Sequence, residues 1–154
     1  MRLHMPVSLR WGDLDAFNHV NNVSMLKLLE EARVRAFWRP TRPGEEVPAT
    51  AVLESGLSAD TLTLIAHQEA EYLAPIEYRR DPLDIQMWFG KLGGASMLMC
   101  YEVWGGANDG TLYARAATSI VMVNSTSMRP RRMSDVERAA WEPYLEEPIE
   151  FTRR

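Results

Sequence analysis

One long helical segment followed by several strand-like segments constrains the fold of this chain most. Residues 22–39, NVSMLKLLEEARVRAFWR, are mostly good helix formers, and Pro40 follows, which cannot continue a helix. Residues 3–11 alternate as a short first strand does. From residue 50 onward the hydrophobic period is two, in segments near 50–54, 62–73, 83–92, 95–105 and 111–124. A capping-box pattern at Ser134 and Glu137 predicts a short last helix that ends by Pro143.

The apolar side chains of the long segment fall on more than one side of the predicted helix. One broad face carries Met25, Leu26, Leu29, Ala32, Ala36 and Phe37. Other sides carry Val23, Leu28, Val34 and Trp38. A helix with this distribution is expected to be buried over much of its surface. We therefore predict an α+β fold, in which a curved antiparallel sheet of about five to six strands wraps around one long central helix.

Size and composition indicate a single globular domain spanning residues 1–154. The chain has 46% apolar and 25% charged residues and a net charge of −4, which excludes disordered classes and argues against general nucleic-acid binding. We find neither a signal-like apolar run nor the roughly 18 apolar residues of a membrane span, so we expect a cytoplasmic protein. The lone Cys100 cannot form an internal disulfide.

Hydrogen-bonding and titratable side chains crowd the segment directly before the helix. Residues 10–22 read RWGDLDAFNHVNN, with two acids, one histidine and three asparagines in thirteen positions. A helix N-terminus supplies the positive end of the helix dipole and backbone N–H groups without helical partners. This segment is therefore the candidate functional region of the chain.

The stretch GDLDAFNHVNN, followed by a helix that contains EEAR, resembles the hotdog-fold thioesterases. The resemblance is to the branch of 4-hydroxybenzoyl-CoA thioesterase and the bacterial acyl-CoA thioesterases of the Tol-Pal cluster. DLD followed by HVNNV is also similar to the plant acyl-carrier-protein thioesterases, and EYLAPI at 71–76 and GGASMLMCYEV at 93–103 are further similarities. The resemblance implies a hotdog fold and thioester hydrolysis.

The resemblance implies catalytic roles for three residues of the loop and helix start. Asp15 corresponds to the carboxylate that acts as nucleophile or as base for water, and the backbone N–H of Asn22 to the group that polarises the thioester carbonyl. His19 corresponds to a histidine that orients or activates the attacking group. Two positions depart from the pattern: Phe17 replaces an asparagine of the plant enzymes, and Asn22 replaces a histidine of the Tol-Pal type.

These residues also have structural interpretations. Asp15 is open to a role in an Asx turn, and Asp13 is expected to bond loop N–H groups. His19 suits a hydrogen-bonded scaffold as well as it suits catalysis. Asn21 and Asn22 are natural helix caps, a role that is compatible with an oxyanion site built from the same backbone.

Further residues are expected to contact substrate. Near the helix start these are Asn21, Val23 and Tyr72, and on the helix Glu30. In some hotdog branches a helix glutamate is the catalytic carboxylate, so Glu30 and Glu31 are secondary candidates for that role. Arg33 falls within the apolar arc of the helix, where a charge is costly unless it is paired, and we predict a partly buried ion pair with Glu30.

The phosphates of coenzyme A favour arginine forks. The run RPRR at 129–132 follows the last strand, and we assign substrate binding to Arg129 and Arg131, with Arg79 and Arg80 as further candidates; a solvated surface run is the alternative. The three histidines show no metal-ligand spacing, and no nucleotide-phosphate loop or GxSxG motif is present. We expect no metal, and no cofactor other than the coenzyme A of the substrate.

The resemblance thus predicts a thioesterase that acts on an acyl-CoA or acyl-carrier-protein thioester. Two alternatives stay open: a non-catalytic acyl-CoA binding or regulatory module, and a hotdog enoyl-CoA hydratase, which needs an Asp and a His five residues apart. Here His19 lies four residues from Asp15 and six from Asp13. Because an exposed sheet edge needs covering, we expect a homodimer or a dimer of dimers, with residues 69–75 near the pairing surface.

Overall fold

Five strands and one long helix make up most of the structure, a computed structural model that describes residues 1–152. Residues 153 and 154, the end of the predicted domain, lie outside these described residues. The main elements are β1 (Leu3–Val7), α1 (Asn22–Phe37), β2 (Thr61–Tyr72), β3 (Leu83–Leu92), β4 (Ser96–Trp104), β5 (Leu112–Asn124) and α2 (Asp135–Trp141). Single turns of 3-10 helix cover Trp11–Asp13 and Glu142–Tyr144.

All five strands form one antiparallel sheet in the order β1-β3-β4-β5-β2, so β1 and β2 lie at its edges. Both faces of β5 are largely covered: Ala114, Ala116, Thr118, Ile120 and Met122 are buried on one face, and Tyr113, Ala117 and Val123 are buried on the other. The predicted α+β hotdog fold, with a curved antiparallel sheet and a long helix, is confirmed with five strands.

The helix α1 packs on the inner face of this sheet through the arc that the sequence indicated. Leu29, Ala32 and Ala36 are at most 1% exposed and belong to one core with Ile85 and Met99 of the sheet. The expectation that α1 is buried over much of its surface is wrong for this chain, since its opposite side faces solvent. Two of the apolar residues there are exposed: Val23 at 66% and Val34 at 41%.

The strand expected near 50–54 is absent from the described residues. This segment instead forms hydrogen bonds with the C-terminal end of α1. The N–H of Leu53 donates to the carbonyl of Phe37, and the N–H of Arg39 donates to the carbonyl of Leu53. Thr50 is fully buried and its hydroxyl donates to the carbonyl of Ala36 at 2.6 Å. A short apolar run can therefore be buried beneath a helix end without a strand neighbour. The first strand is also shorter than residues 3–11 and ends at Val7.

The C-terminal segment after β5 closes the fold. The capping box is confirmed: the N–H of Ser134 donates to the Glu137 carboxylate, and the N–H of Glu137 donates to the Ser134 hydroxyl. Beyond α2 the chain crosses β3, where the N–H of Glu146 donates to the carbonyl of Phe89 and the indole of Trp88 donates to the carbonyl of Glu147. The last described residues are thereby fixed to the sheet.

Candidate active site

The loop before α1 is organised by the side chain of Asp15. Its Oδ1 atom accepts hydrogen bonds from the backbone N–H groups of Phe17 at 2.8 Å and His19 at 3.3 Å. The backbone closes the same turn, with the N–H of Asp15 donating to the carbonyl of His19 at 2.8 Å. Asn18 has φ 62°, a left-handed conformation that asparagine tolerates well. The Asx-type turn therefore holds the carboxylate in place, and within residues 1–152 its second oxygen, Oδ2, accepts no hydrogen bond.

Asp13 has the structural role expected of it. Its carboxylate is 2% exposed and accepts hydrogen bonds from the backbone N–H of Arg10 at 2.7 Å and from the Arg10 guanidinium at 3.2 Å. Its carbonyl accepts from the N–H of Asn21 at 2.8 Å. Asp13 therefore joins the loop to the first residue before α1.

Side chains cap the N-terminus of α1, but they do not bond to the backbone N–H of its first residue, Asn22. The side chain of Asn21 accepts from the N–H of Val23 at 2.8 Å, and Oδ1 of Asn22 accepts from the same group at 3.0 Å. Within the described part of the chain, the backbone N–H of Asn22 has no acceptor, and Asn22 is exposed. The hydroxyl of Tyr72 donates to the carbonyl of Asn22 at 3.4 Å. Burial raises the pKa of this phenol, so it stays protonated as a donor.

His19 is half-buried and is held by its backbone rather than by its ring. It forms an antiparallel bridge with Glu77, and the N–H of Val20 next to it donates to the carbonyl of Ile76 at 2.9 Å. Its imidazole makes no hydrogen bond to any residue from 1 to 152. The ring is therefore free to contact a ligand, and the backbone around it provides the scaffold.

Large aromatic side chains lie exposed around this loop. Phe17, at its tip, is 79% exposed, and Trp11 is 71% exposed. Trp11 packs edge-on against Tyr78, with ring centroids 5.6 Å apart. Exposed apolar surface of this kind is typical of contact with a ligand or another protein.

The arginines proposed for coenzyme A binding lie far from this loop in the single chain. Arg131 forms a two-pronged ion pair with Glu137, at 2.7 and 2.6 Å, and its Nε donates to Thr61 at 2.7 Å. Thr61 begins β2 and Tyr72 ends it, so eleven residue steps, or about 36 Å, separate the two ends. Arg129 is exposed on the same side as Arg131. The fold therefore groups Asp15 with the helix start but places both arginines at the opposite end of β2.

Arg79 is also bound within the chain. Its guanidinium donates to Asp109 at 2.7 Å and to the Tyr113 hydroxyl at 2.8 Å. Hydrogen bonds from Thr111, Tyr113 and Arg79 hold the pKa of Asp109 well below its usual range. Arg80, by contrast, is exposed. Arg79 therefore stabilises the loop between β4 and β5.

The predicted ion pair between Glu30 and Arg33 is wrong. Within residues 1–152, no carboxylate forms an ion pair with Arg33, and Glu30 is exposed. Arg33 is buried, at 7% exposure, and donates to the hydroxyl of Tyr101 at 2.9 Å. The other secondary candidate, Glu31, is exposed and pairs with Arg35 at 2.9 Å. Residue spacing could place Arg33 in the core, but it could not identify a partner on β4.

Among the cavities that residues 1–152 form are one of about 930 Å³ and one of about 840 Å³. The larger lies between the C-terminal half of α1 and the N-terminal half of β2, and its lining includes Glu30, Arg33, Phe37, Thr63, Ile65 and Ile120. The smaller lies beneath the C-terminal segment around Trp88. Asp15, His19 and Asn22 line neither of them. In the single chain, the candidate catalytic group is thus open at the surface.

Residues 1–152 contain neither a metal-binding cluster nor a membrane-spanning helix. No group of three or more His, Cys, Asp or Glu residues could hold a metal ion there. None of the helices in this range is long and apolar enough to cross a membrane.

Comparison with known proteins identifies what the chain resembles. The family model of the thioesterase-like superfamily matches residues 9–142. The PA5185 protein from Pseudomonas aeruginosa is 20% identical with a TM-score of 0.72, and the match covers 96% of this chain and 94% of that one. Slr0204, a 1,4-dihydroxy-2-naphthoyl-CoA thioesterase from Synechocystis, is 17% identical with a TM-score of 0.64, covering 90% and 93% of the two chains. A search of curated protein sequences gives no match.

Proposed function

Because the chain belongs to the thioesterase-like superfamily, we propose that it is an acyl-CoA thioesterase whose catalytic carboxylate is Asp15. The observation that carries this proposal is the position of Asp15. Two backbone N–H groups hold its Oδ1, its Oδ2 accepts no bond within residues 1–152, and the loop leads directly into the capped start of α1. The exposed N–H of Asn22 supplies the matching oxyanion donor.

The proposed reaction needs only groups at this helix start. Asp15 either removes a proton from water, which attacks the thioester carbon, or attacks that carbon itself to form an anhydride that water then cleaves. In both routes the carbonyl oxygen becomes an anion beside the Asn22 N–H and the positive end of the helix dipole. The C–S bond breaks. In the first route the thiolate takes the proton that Asp15 removed from water, and in the second it takes a proton from solvent water, while hydrolysis of the anhydride regenerates the Asp15 carboxylate. His19 orients the attacking group, and no cofactor is needed beyond the coenzyme A of the substrate.

Assembly into a homodimer, or a dimer of dimers, is part of the proposal. The strand β2 is a sheet edge of 12 residues, and Leu64 and Ile65 on it are more than 40% exposed. Two copies of β2 paired antiparallel about a two-fold axis would bring the Thr61 end of one copy beside the Tyr72 end of the other. That arrangement would move Arg129 and Arg131 of a second copy toward Asp15, as coenzyme A binding requires.

The test uses the purified protein and a panel of short-, medium- and long-chain acyl-CoAs. An aromatic acyl-CoA is included, since the Synechocystis neighbour is a thioesterase of an aromatic acyl-CoA. Asp15→Asn keeps an oxygen that can accept the Phe17 and His19 bonds but removes the charge. We expect the variant to lose about a hundredfold or more in thiol release while still binding substrate.

Asp13→Asn, two residues away, is the matched control. It removes the ion pair with Arg10, so it should lower stability and leave kcat of the folded protein within a few-fold of wild type. Thiol release that is unaffected by Asp15→Asn would move the chemistry to His19, Glu30 or Glu31. If the wild type binds acyl-CoA and releases no thiol from any member of the panel, the chain is a binding module. We propose the cytoplasm as the compartment of this reaction.

A further inference from the structure

Arg33 is a buried cation for which residues 1–152 provide no carboxylate partner. It is 7% exposed, and Nη1 of its guanidinium donates to the Tyr101 hydroxyl at 2.9 Å. The guanidinium carbon lies 6.0 Å from the centroid of the same phenol ring. A guanidinium has five N–H donors, and removing its charge from water is costly unless an opposite charge pairs with it. Most donors of this buried group therefore lack a partner within the described residues.

The unbonded nitrogens of Arg33 border open space rather than packed protein. Among residues 1–152, Nε of Arg79 is the one fully enclosed side-chain nitrogen or oxygen atom that has no hydrogen-bond partner. Nε and Nη2 of Arg33 also make no hydrogen bond, so they are not fully enclosed. Arg33 lines the cavity of about 930 Å³. We therefore place its free donors at the wall of this cavity.

The remaining wall of this cavity suits an apolar chain. Its deepest residues are apolar and at most 6% exposed: Phe37, Leu53, Met97, Ile120 and Trp141. The other charged residues of the wall are all exposed, and water and salt screen them: Glu30, Arg35, Arg39, Glu45, Glu46 and Glu54. Arg39 already pairs with Glu54 at 3.6 Å. Arg33 is thus the one buried charge in an otherwise apolar interior.

The cavity has the dimensions of a medium-chain alkyl group. Its volume of about 930 Å³ lies within the range of roughly 300–1,000 Å³ that is typical of small-molecule sites. Residues 61–65 of β2 form one wall, and four residue steps of a strand span about 13 Å. At about 1.2 Å per bond, the nine C–C bonds of a ten-carbon acid span about 11 Å. A ten-carbon chain therefore matches the length of this wall.

The cavity is separate from the proposed reaction centre of the same chain. None of residues 22–29 lines it, and neither do Asp15 and His19. The buried side chains of Met25 and Leu29 occupy the inner side of α1 between the helix start and Arg33. A molecule in this cavity therefore contacts Arg33 without contacting the Asp15 loop.

We propose that this cavity binds a free medium-chain fatty acid, whose carboxylate pairs with Arg33 and whose alkyl chain lies along Ile120 and Phe37 toward Trp141. The carboxylate accepts hydrogen bonds from the unbonded N–H groups of the guanidinium. Each methylene group that leaves water for the apolar interior strengthens binding by roughly fourfold. The site goes beyond the proposed hydrolysis and does not depend on it.

The test compares two ligands of equal chain length, decanoate and the uncharged 1-decanol, by calorimetric titration. We expect the wild type to bind decanoate about tenfold or more tighter than decanol, because a charge-assisted pair replaces a neutral hydrogen bond. Arg33→Met removes the charge and keeps the apolar stem, so the two ligands should then bind within about threefold of each other. Arg35→Met is the matched control and should keep the preference, since Arg35 lies on the same helix but is exposed and paired with Glu31.

Brominated acids test the orientation of the ligand in the wild-type protein, so this result does not depend on how Arg33→Met folds. Trp38 and Trp141 line the cavity near the C-terminal end of α1, beyond Arg33. Bromine quenches tryptophan fluorescence at short range. At equal saturation, 10-bromodecanoate should therefore quench the fluorescence more than 2-bromodecanoate does. Equal quenching by the two acids, or the reverse order, would overturn the proposal.

Three further results would count against this site. Equal affinity of the wild type for decanoate and decanol would show that water already satisfies Arg33. Decanoate that binds no more tightly than acetate would show that the cavity does not take the chain. A homodimer that dissociates in Arg33→Met, with no preference for decanoate in the wild type, would show that a second copy supplies the carboxylate.

Neither experiment uses a thioester, so the outcome is distinguishable from that of the proposed hydrolysis. An inactive protein that still binds decanoate through Arg33 would support this site and refute the thioesterase. An active thioesterase without any Arg33-dependent preference for decanoate would support the thioesterase and overturn this site.

Discussion

The ion pair between Arg131 and Glu137 permits a sharp prediction about stability. Both oxygens of Glu137 accept from the Arg131 guanidinium, at 2.7 and 2.6 Å, and Oε1 also accepts from the N–H of Ser134 at 2.8 Å. The Glu137 side chain is 7% exposed and that of Arg131 is 27% exposed. Glu137→Gln removes the charge and keeps an oxygen for the Ser134 bond. The variant therefore isolates the ion pair from the capping box.

The cost of this change follows from how far the pair is buried. Breaking a fully buried ion pair on one side costs about 3–5 kcal/mol, because it leaves the other charge unpaired. Water reaches part of Arg131, and the new amide oxygen can still accept one N–H bond, so we expect a loss of about 2 kcal/mol. With a urea m-value of about 2 kcal/mol/M, the midpoint of unfolding falls by about 1 M.

The difference should depend on pH in a defined direction. Burial raises the pKa of Glu137, but hydrogen bonds from Arg131 and Ser134 and the charge of Arg131 outweigh it and lower the pKa below its usual value. A carboxylate with a lowered folded-state pKa contributes stability above the unfolded-state pKa, and that contribution is lost as the pH falls through the folded-state value. The gap between wild type and Glu137→Gln should therefore be full at pH 7 and shrink below about pH 4.

Urea unfolding followed by far-ultraviolet circular dichroism at pH 7 and pH 3.5 tests this prediction. Glu142→Gln, an exposed glutamate just beyond the same helix, is the control and should stay within about 0.5 kcal/mol of wild type. A Glu137→Gln variant as stable as wild type at pH 7 would refute the reasoning. So would a gap that is equally large at the lower pH. Either result would mean that the ion pair between Arg131 and Glu137 does not stabilise the fold in the way argued here.

Two further substitutions probe the helix start and the C-terminal segment. Asn21→Ala removes one of the two side-chain acceptors of the Val23 N–H, and because Oδ1 of Asn22 still accepts from that group it should cost about 0.5–1 kcal/mol, seen as a fall of about 1–4 °C in Tm; Asn21→Ser should restore most of it. Gly90→Ala should cost about 1–3 kcal/mol, because its Cβ would lie 2.9 Å from the Cys100 sulfur and 3.1 Å from Cα of Pro148. Adding Cys100→Ala should recover part of that loss in a double-mutant cycle, and strictly additive losses would contradict the proposed clash.

The contacts within the loop before α1 could be predicted from the sequence because they are local. Asp15 bonds to the N–H groups of residues two and four positions later, and Asn21 bonds to the N–H of Val23. Short polar side chains close such turns and caps almost regardless of the rest of the fold. The same holds for the capping box of α2. The strand predicted near residues 50–54 was wrong for the opposite reason. Whether an apolar run pairs with a neighbouring strand depends on residues that are distant in the sequence.

Arg33 is an example of a residue whose contacts cannot be predicted from local sequence patterns. Helical periodicity placed it in the apolar arc correctly, but the Glu30 pairing that spacing suggests is worth only about 0.2–0.5 kcal/mol on a helix surface. Glu30 gains more from solvation on the exposed side of α1, whereas the partner that Arg33 contacts, Tyr101, lies 68 positions away on β4. The alternation of β4 turns Tyr101 toward the core beside Met99, yet no pattern indicates which turn of the helix lies above it. The packing of α1 on the sheet thus buries a charge for which residues 1–152 provide a phenol hydroxyl and no carboxylate, a pairing that no local pattern indicates.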